Sequence, residues 1–531
     1  MNVLELNKNI TSKSKFVIEY FSSRKYLIFI LLFVIKTLLQ ISLFQNGYNW
    51  LSADDFCRTV KSFEWLQKPE IHSGVWLSGH FWFNGIAMLF IKNLFISATA
   101  VNIIFSALTL FYFYNLIEMC FDKRIAFFSS LIFCVFPFQV WLSISGLPES
   151  IFFFFVVAGM YYFIKWKNSE SKLLFLILSA VAFALSNLFR YEGWLFSIVF
   201  VLFIVSEIRK EKKLSKELTK NILISLISFS TVIFWLVLNY IDYKEVFYFA
   251  KETNKIYEDY NTVKYLQRLI QYPTFLFYIA PITTVLSVKV SWDFARCIFK
   301  PNGNFPKIAI YFAMFNIAEL GLLMLQGLAG TGGTNMISRY IVINAILFLP
   351  FAVYQVFKYR KILATLFLIT IILVNYIWCY YFPQSFRVDT IETGVLLKNQ
   401  IEKNFNKDEK IYFEEIEGYY DVFAVQTLSN NPSKFVLGNF PSLKIEEKKS
   451  KKKKSQLSDE ELNILDIKRY FEKNKISMAV VKSDGYVDKL RKMNFKNEEI
   501  GEYKIFYLKN IESNVNDSSI SIFSQNVPSL E

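Results

Sequence analysis

Two adjacent carboxylates, Asp54 and Asp55, lie directly after the first membrane-length apolar run of the chain. Carboxylates beside hydrocarbon are costly, so such a pair indicates a helix cap, a cation site or chemistry on a substrate at the membrane surface. In the structural interpretation, Ser52–Asp55 forms a capping box, and the residues after it form the apolar stripe of an interfacial helix. Asp55 would then cap the helix, and Asp54 would remain for a functional role.

Glu149 follows Pro148 in a short polar turn between two apolar runs. Proline at the first helical position and a carboxylate next to it both suit a helix N-terminus, where the helix dipole favours negative charge. Helix capping and a functional role are equally good interpretations of this glutamate.

Arg190 and Glu192 separate two short apolar runs farther along the chain. An arginine at such a place can anchor the chain at the membrane interface by extending its head group into water. Its permanent charge and its fork of donors also suit it to bind a phosphate or a carboxylate.

A glycine-rich stretch, 327–333, precedes Arg339 and Tyr340. The backbone N–H groups of a glycine-rich loop before a helix can cradle a phosphate, and Arg339 would add further donors. For the glycines alone, a flexible loop is the commoner interpretation. The sequence contains no P-loop, Rossmann fingerprint, HExxH motif or nucleophile elbow.

The composition is that of an integral membrane protein. Of the 531 residues 53% are hydrophobic and 57 are Phe, more apolar sequence in long runs than a soluble core can use. The net charge of +14 lies largely in short loops between those runs, which argues against nucleic acid as a partner. Five cysteines without CxxC spacing and only two histidines indicate neither a disulfide framework nor a His-rich metal or haem site.

About eleven apolar runs approach, with their flanking residues, the ~20 residues that cross a bilayer. They are Tyr26–Phe44, Thr99–Leu116, Ile125–Ser143, Ile151–Ile164, Leu173–Phe189, Tyr191–Ser206, Ile222–Tyr240, Thr274–Leu286, Ile308–Leu328, Ile341–Val356 and Ile362–Phe382. The first run follows a basic segment and lacks a cleavage site, so we interpret it as a retained signal anchor.

The positions of Lys and Arg predict the orientation. The basic loops, such as Glu207–Lys220, fall on the cytoplasmic side if the N-terminus is cytoplasmic and His80–Phe95 lies in the outer interface rather than crossing. The remaining polar groups then share one extracytoplasmic face: Asp54, Asp55, His80, Glu149, Arg190, Glu192 and Arg339. Several polar groups of both signs at one end of an apolar bundle predict a functional site there.

The composition changes after Phe382, and we expect two domains, residues 1–384 in the membrane and residues 385–531 as a small extracytoplasmic α/β domain. The predicted helices and strands of the second domain are Asp389–Phe405, Lys410–Phe413, Tyr419–Ser429, Phe435–Leu437, Asp459–Lys473, Ile476–Val481, Tyr486–Met493 and Glu502–Leu508. The run Lys448–Lys454 is a charged insertion, most simply a solvated loop, with contact to anionic lipid or wall polymer as the minority interpretation.

In this order, these motifs resemble those of the GT-C glycosyltransferases that use polyprenyl-phosphate sugars, the protein O-mannosyltransferases and lipid A aminoarabinose transferases among them. The resemblance rests on five short motifs, which are Ala53-Asp54-Asp55, His80-Phe-Trp82-Phe-Asn84, Leu147-Pro148-Glu149, Arg190-Tyr-Glu192-Gly193 and Ser338-Arg339-Tyr340. It spans nearly the whole chain. The relatives often have Asp-Glu at the first motif, and some carry Lys-Pro where Leu77–His80 stands here.

The resemblance implies a multi-pass enzyme of the cell membrane that transfers a sugar from a polyprenyl-phosphate donor to a lipid, glycan or protein acceptor, with inversion. It implies Asp54 as the base, Asp55 and Glu149 as further catalytic groups, and Arg339, Arg190 and His80 as ligands of the donor phosphate. Trp82, Glu192 and Tyr340 would shape the acceptor site. Asp54, Asp55 and Glu149 could also hold Mg²⁺ or Mn²⁺, because carboxylates beside a phosphate suit these ions.

Two other functions compete with the transferase. A transporter or lipid flippase would carry charges near mid-bilayer on broken, often repeated helices, whereas these charges lie at one face and no repeat is visible. A non-catalytic assembly protein would tolerate substitution of Asp54, Glu149 and Arg339, but would lose its function without residues 385–531.

Overall fold

The computed structural model describes residues 24–71, 74–168, 172–206, 216–256, 265–297, 306–329, 338–359, 361–381, 392–404, 409–414, 420–438 and 467–508. The Lys448–Lys454 insertion and the glycines after Ala329 lie outside the described residues. By its internal contacts the chain divides into two compact units. The first comprises Met1–Leu51, Lys61–Lys92 and Ile96–Arg387, and the second comprises Ser52–Val60, Asn93–Phe95 and Val388–Glu531. The predicted domains, 1–384 and 385–531, stay a prediction.

The described apolar part of the chain is helical. Its helices are α1 (Arg24–Gln45), α2 (Ala53–Gln67), α3 (Gly79–Met88), α4 (Leu94–Cys120), α5 (Lys123–Val135), α6 (Pro137–Ile144), α7 (Glu149–Asn168), α8 (Leu173–Ser186), α9 (Glu192–Ser206), α10 (Lys216–Ser225), α11 (Ser230–Tyr243), α12 (Tyr248–Ile256), α13 (Tyr265–Ile279), α14 (Pro281–Arg296), α15 (Lys307–Ala329), α16 (Val342–Val356) and α17 (Lys361–Tyr381). Short 3-10 turns, Leu226–Phe229 and Ser338–Ile341, precede α11 and α16.

Among the residues that the structure describes, seven helical segments are long and apolar enough to cross a membrane, or up to eight if the bent pair α5–α6 counts as one span. The membrane-protein class is confirmed, but the predicted count of about eleven spans is not. Leu173–Ser186 and Glu192–Ser206 are apolar helices of fewer than 18 residues. The predicted run Thr274–Leu286 falls on the junction of α13 and α14, where Pro281 starts a new helix.

The predicted span Ile125–Ser143 is two helices, which bend by 57° at Phe136. Pro137 lacks the N–H that would continue the ladder, and it pushes the residue before it to an extended conformation, seen at Phe136 with φ −73° and ψ 113°. The segment predicted to be interfacial begins with α3, which has 10 residues and is too short to span a bilayer.

A polar chain runs through the buried interior of the helical unit. Lys36 Nζ donates to Gln139 Oε1 at 2.5 Å, and Gln139 Nε2 donates to Ser106 Oγ at 2.7 Å. Lys36 also lies 4.9 Å from the centroid of the Phe133 ring, and its side chain is 1% exposed. These amide, hydroxyl and ring contacts compensate part of the cost of burying an ammonium group in an apolar bundle.

The second unit contains a five-stranded sheet in the order β2-β1-β3-β5-β4. The strands are β1 (Lys410–Glu414), β2 (Phe435–Gly438), β3 (Ile476–Val481), β4 (Lys496–Ile500) and β5 (Tyr503–Tyr507), and the helices are α18 (Glu392–Asn404), α19 (Tyr420–Leu428) and α20 (Asp484–Lys492), with a further helical stretch at 467–473. β1 pairs in parallel with β2 and β3, and the other pairs are antiparallel. Alternate strand residues enter separate apolar clusters, so both sheet faces are covered.

The small α/β domain predicted after the last span is therefore confirmed. Only the strand β4, with the sequence KNEEI, was not predicted. Its residues are mostly exposed and charged, as is common for an edge strand, so it lacks the alternation of apolar residues that marks the other strands.

Two short stretches from the N-terminal part of the sequence pack within the second unit. Thr427 Oγ1 donates to Phe56 O at 3.3 Å, and Leu94 N donates to Asn430 Oδ1 at 2.7 Å. The rings of Phe56 and Phe95 stack with their centroids 5.8 Å apart. The start of α2, which carries the aspartate pair, is thus held by side chains of the C-terminal sequence.

Candidate functional site

Glu149 is the first residue of α7, and its side chain is completely buried. The turn that leads into the helix is fixed by Asn102, whose Nδ2 donates to Ser145 O at 2.6 Å and to Leu147 O at 2.8 Å. The dipole of α7 favours the carboxylate at this end, as the Pro-Glu sequence predicted. Asn102, in the middle of an apolar run, was not predicted to contribute.

Arg190 joins Glu149 to Glu192, the first residue of α9. Its Nη1 donates to Glu149 Oε1, its Nε donates to Glu192 Oε2 at 3.1 Å, and its Nη2 donates to Glu192 Oε1 at 2.8 Å. The guanidinium carbon lies 4.4 Å from the centroid of the Tyr340 ring. The fork-to-fork pair with Glu192 and the stacking on Tyr340 are interactions that an arginine, but not a lysine, can make.

Arg339 completes this group of charges from the 3-10 turn before α16. Its Nε lies 3.6 Å from Glu149 Oε1, the same oxygen that accepts from Arg190. The side chains of Arg190, Glu192, Arg339 and Glu149 are between 1% and 12% exposed, so the four charges are nearly desolvated. The two positive and two negative charges balance, as buried ionised groups require. We call these four residues and Tyr340 the charge cluster.

Glu149 Oε2 is buried and has no hydrogen-bond partner among the residues that the structure describes. Buried polar atoms are almost always satisfied by protein, water or a ligand. This carboxylate oxygen therefore has unused acceptor capacity within the charge cluster.

A further polar group, not predicted from the sequence, lies within electrostatic range of the charge cluster. Asn344 Nδ2 donates to Asn316 Oδ1 at 2.9 Å and also to Glu319 on the same neighbouring helix. Glu319 interacts electrostatically with Glu192, and so does Tyr272 of α13. The sequence did contain a signal for this group, because a glutamate and two asparagines inside apolar runs are costly unless they have a structural or functional role.

The aspartate pair forms the capping box that the sequence predicted. Ser52 N donates to Asp55 Oδ2 at 2.8 Å, and Asp54 N donates to Ser52 Oγ at 3.1 Å. Asp55 is 1% exposed. Both aspartates belong to the second unit, whereas the charge cluster belongs to the first.

The other predicted site residues lie on α3. His80 is fully buried, and Asn84 Nδ2 lies 2.8 Å from His80 Nε2, one helical turn away. Trp82 lines a cavity of about 470 Å³ whose walls are residues of α2, of α3 and of the described part of the chain between them. Its Nε1 makes no hydrogen bond within the described residues.

The residues proposed to hold a metal do not fit that role well. One oxygen of Glu149 is shared by two guanidiniums, whose positive charge opposes a cation, and one oxygen of Asp55 accepts from the backbone of its own cap. Across the described ranges, no group of three or more His, Cys, Asp and Glu side chains could hold a metal ion.

Comparisons with known proteins agree with the motif-based resemblance. Residues 78–235 match the family model described as dolichyl-phosphate-mannose-protein mannosyltransferase. That range includes Trp82, Glu149 and Arg190. A search of curated protein sequences gives no match.

Solved structures with a similar fold include ArnT from Cupriavidus metallidurans bound to undecaprenyl phosphate, with a TM-score of 0.58 and 10% identity over 91% of this chain and 98% of ArnT. The apo form of ArnT gives a TM-score of 0.54 at 10% identity, covering 88% of this chain and 97% of ArnT. The Archaeoglobus fulgidus oligosaccharyltransferase in complex with Zn and sulfate gives 0.53 at 12% identity, covering 87% and 69%.

At these identities the structural likeness shows the fold, and the family match over 78–235 adds the class of enzyme. The resemblance to the GT-C glycosyltransferases, proposed from five short motifs, is confirmed.

Proposed function

We propose that this chain, a membrane glycosyltransferase with the GT-C fold, moves a sugar from a polyprenyl-phosphate donor to an acceptor hydroxyl on the extracytoplasmic face. The observation that carries the proposal is the buried charge cluster, in which one oxygen of Glu149 holds both Arg190 and Arg339. The ArnT structure with undecaprenyl phosphate supports a prenyl-phosphate donor for this fold.

Arg339 is the proposed ligand of the donor phosphate. Its Nε forms an ion pair with Glu149 Oε1 at 3.6 Å, and this pair orients the guanidinium within the charge cluster. As the bond from the sugar to the phosphate breaks, negative charge grows on the leaving phosphate, and a fixed guanidinium in a desolvated site stabilises that charge.

Arg190 acts as a positioning residue. Three of its nitrogens already donate to Glu149 and Glu192, and its guanidinium carbon lies 4.4 Å from the centroid of the Tyr340 ring. It joins the starts of α7 and α9 and thereby places Glu149 next to Arg339. This assignment is narrower than the phosphate-binding role that the family resemblance implied.

Asp54 is the proposed base. Asp55 supplies the carboxylate that caps α2, so the cap does not depend on the Asp54 side chain. Asp54 takes the proton from the acceptor hydroxyl, the hydroxyl oxygen attacks the anomeric carbon, and the prenyl phosphate leaves from the opposite side. Such in-line attack inverts the anomeric carbon. No step requires a metal ion.

The test is transfer of a radiolabelled sugar from a prenyl-phosphate donor by the purified full chain in lipid nanodiscs. Asp54→Asn and Arg339→Ala should each reduce transfer by about 10²-fold or more without unfolding the protein. Trp292→Ala, which removes an exposed ring on α14, is the control and should transfer normally. Full transfer by Asp54→Asn would exclude it as the base.

The proposed orientation places the N-terminus in the cytoplasm and the C-terminal domain outside. All five cysteines are buried, so new exposed cysteines can be labelled selectively. Ser433→Cys, on the second unit, should react with an impermeant maleimide in intact cells, whereas Lys358→Cys should react only after lysis. The reverse pattern would contradict the orientation.

A further inference from the structure

The cavity between the end of α2 and the start of α3 is lined mainly by aromatic rings and charged side chains. Its volume is about 470 Å³, within the range of about 300–1,000 Å³ that is typical of small-molecule sites. The lining residues that matter here are Trp65, Trp76, Ser78, Phe81 and Trp82. Three indoles and a phenyl ring around one cavity offer flat apolar faces with polar edges.

Three residues that line this cavity carry buried polar atoms without protein partners. Trp65 Nε1, Trp82 Nε1 and Ser78 Oγ are buried and make no hydrogen bond within the described part of the chain. Ser78 is 3% exposed, so its hydroxyl is nearly removed from bulk water. These atoms lie behind the cavity surface, so the charged side chains that line the cavity are the groups that can meet the hydroxyl groups of a ligand, whereas a lipid acyl chain would offer those side chains no partner.

The charges at the cavity favour a neutral ligand. Lys61, Lys68, Glu64 and Glu70 line it, two positive and two negative residues, and Lys68 forms an ion pair with Glu70. With these charges offset, the cavity itself offers no net attraction to an ionic ligand.

The cavity walls are held in place by close packing. A Cβ atom added at Gly85 would lie 2.6 Å from Trp65 Cε3 and 2.9 Å from Ser62 O, so α3 passes directly beneath the Trp65 ring. Since Ser62 O is a backbone atom, little adjustment is possible there. The ring face that meets α3 is fixed before any ligand binds, which lowers the entropic cost of binding.

One short segment connects this cavity to the charge cluster. Leu188 O accepts from Gly79 N at 3.0 Å, and Tyr191 Oη donates to Val75 O at 2.9 Å. Arg190 lies between these two residues in the sequence. The segment that positions Arg190 therefore also fixes the cavity wall.

We propose that this cavity binds a neutral sugar ring of a carbohydrate acceptor, with C–H faces of the ring against the indoles and its hydroxyl groups toward the charged side chains that line the cavity. The role of this sugar as an acceptor rests on the proposed transferase activity. Binding of the sugar itself does not depend on that activity.

The test is saturation-transfer NMR on the full chain in lipid nanodiscs, with maltotriose, chitotriose, mannotriose and galactotriose as probes, each to about 10 mM. At least one probe should bind, with the strongest transfer to ring C–H protons. Ser78→Ala, which removes a single oxygen, and Trp82→Ala should each weaken binding, by about tenfold for Trp82→Ala. Trp292→Ala, an exposed tryptophan that does not line the cavity, should bind as the unmodified chain does.

The proposal is overturned if none of the four probes binds, or if binding is unchanged in both cavity variants. It is also overturned if a photoreactive phospholipid chain crosslinks to the cavity residues. If a prenyl-phosphate sugar displaces the oligosaccharide, the cavity holds the sugar of the donor, and the acceptor assignment is overturned. Arg339→Ala should still bind the oligosaccharide while losing transfer, so failure of the donor site and failure of this cavity are distinguishable.

Discussion

Arg339 Nε lies 3.6 Å from Glu149 Oε1. The same carboxylate oxygen also accepts a hydrogen bond from Arg190. One buried glutamate at the start of α7 thus sets the position of two cations that come from different parts of the bundle. The helix dipole, the two guanidiniums and the lack of solvent all act on this single side chain. Substitutions around it should therefore separate structural from functional roles.

Removing Arg190 should destabilise the protein strongly. Arg190→Ala leaves Glu149 and Glu192 buried without their main partner, which should cost about 3–5 kcal/mol. Lys251→Ala breaks an exposed pair with Glu245 and should cost at most about 1 kcal/mol. Denaturant unfolding in detergent measures both, and equal losses would contradict the buried network.

The two adjacent aspartates should respond differently to removal of the carboxylate. Asp55→Ala deletes the acceptor for Ser52 N and should lower the stability by about 1 kcal/mol, typical of a lost helix cap. Asp54→Ala keeps that hydrogen bond and should change stability less. Thermal unfolding of the two variants is the comparison, and a larger loss for Asp54→Ala would show that the cap is not the main structural role of the pair.

Gly85 should not tolerate a side chain. In Gly85→Ala the new Cβ would lie within 3.0 Å of Trp65 and of the Ser62 carbonyl, so α2 and α3 must separate at an expected cost of about 1–3 kcal/mol. Gly321→Ala, inside α15 with no atom within 4 Å of the new Cβ, is the matched control and should be neutral or stabilising. Similar melting temperatures for the two variants would contradict this packing.

The stability of the C-terminal unit should fall as the pH rises from about 4 toward neutrality. Burial raises the pKa of Asp421, while hydrogen bonds from Tyr503 Oη at 3.2 Å and Gly394 N at 2.9 Å act in the opposite direction. With a folded-state pKa above that of the unfolded chain, the stabilising contribution is complete below the unfolded pKa. It is lost as the pH rises through the folded pKa.

Tyr503→Phe removes one bond to the carboxylate, raises the pKa of Asp421 further and should steepen this loss. Asp421→Asn should abolish this part of the pH dependence. Pulse proteolysis in denaturant at several pH values measures the effect. An unchanged pH profile in Asp421→Asn would assign the dependence to other groups.

Much of the fold followed from periodicity. The strands β1, β2, β3 and β5 were predicted because each is a short apolar run between polar turns. The edge strand β4 was missed because its stability comes from pairing with β5 rather than from buried side chains. More spans were predicted than found for two reasons. Pro137 and Pro281 each divide an apolar run between two helices, and two other apolar helices are too short to cross a bilayer.

The charge cluster shows the limit of sequence analysis. Glu149, Arg190 and Arg339 were each selected as polar residues at the ends of apolar runs. That Glu149 would bind both arginines depends on how α7, α9 and the turn before α16 pack, which no local pattern encodes. Asn344 and Glu319 were missed because their apolar neighbours dominated the runs in which they lie.

Lys36 has a consequence for biogenesis. Its partner Gln139 lies 103 positions later in the sequence, on the bent helix pair. Until that pair has been synthesised, the Lys36 ammonium group lacks its Gln139 acceptor and carries the full cost of a charge among apolar side chains. Replacing Gln139 with leucine would make this cost permanent, so the variant should accumulate with α1 poorly packed against α5 and α6.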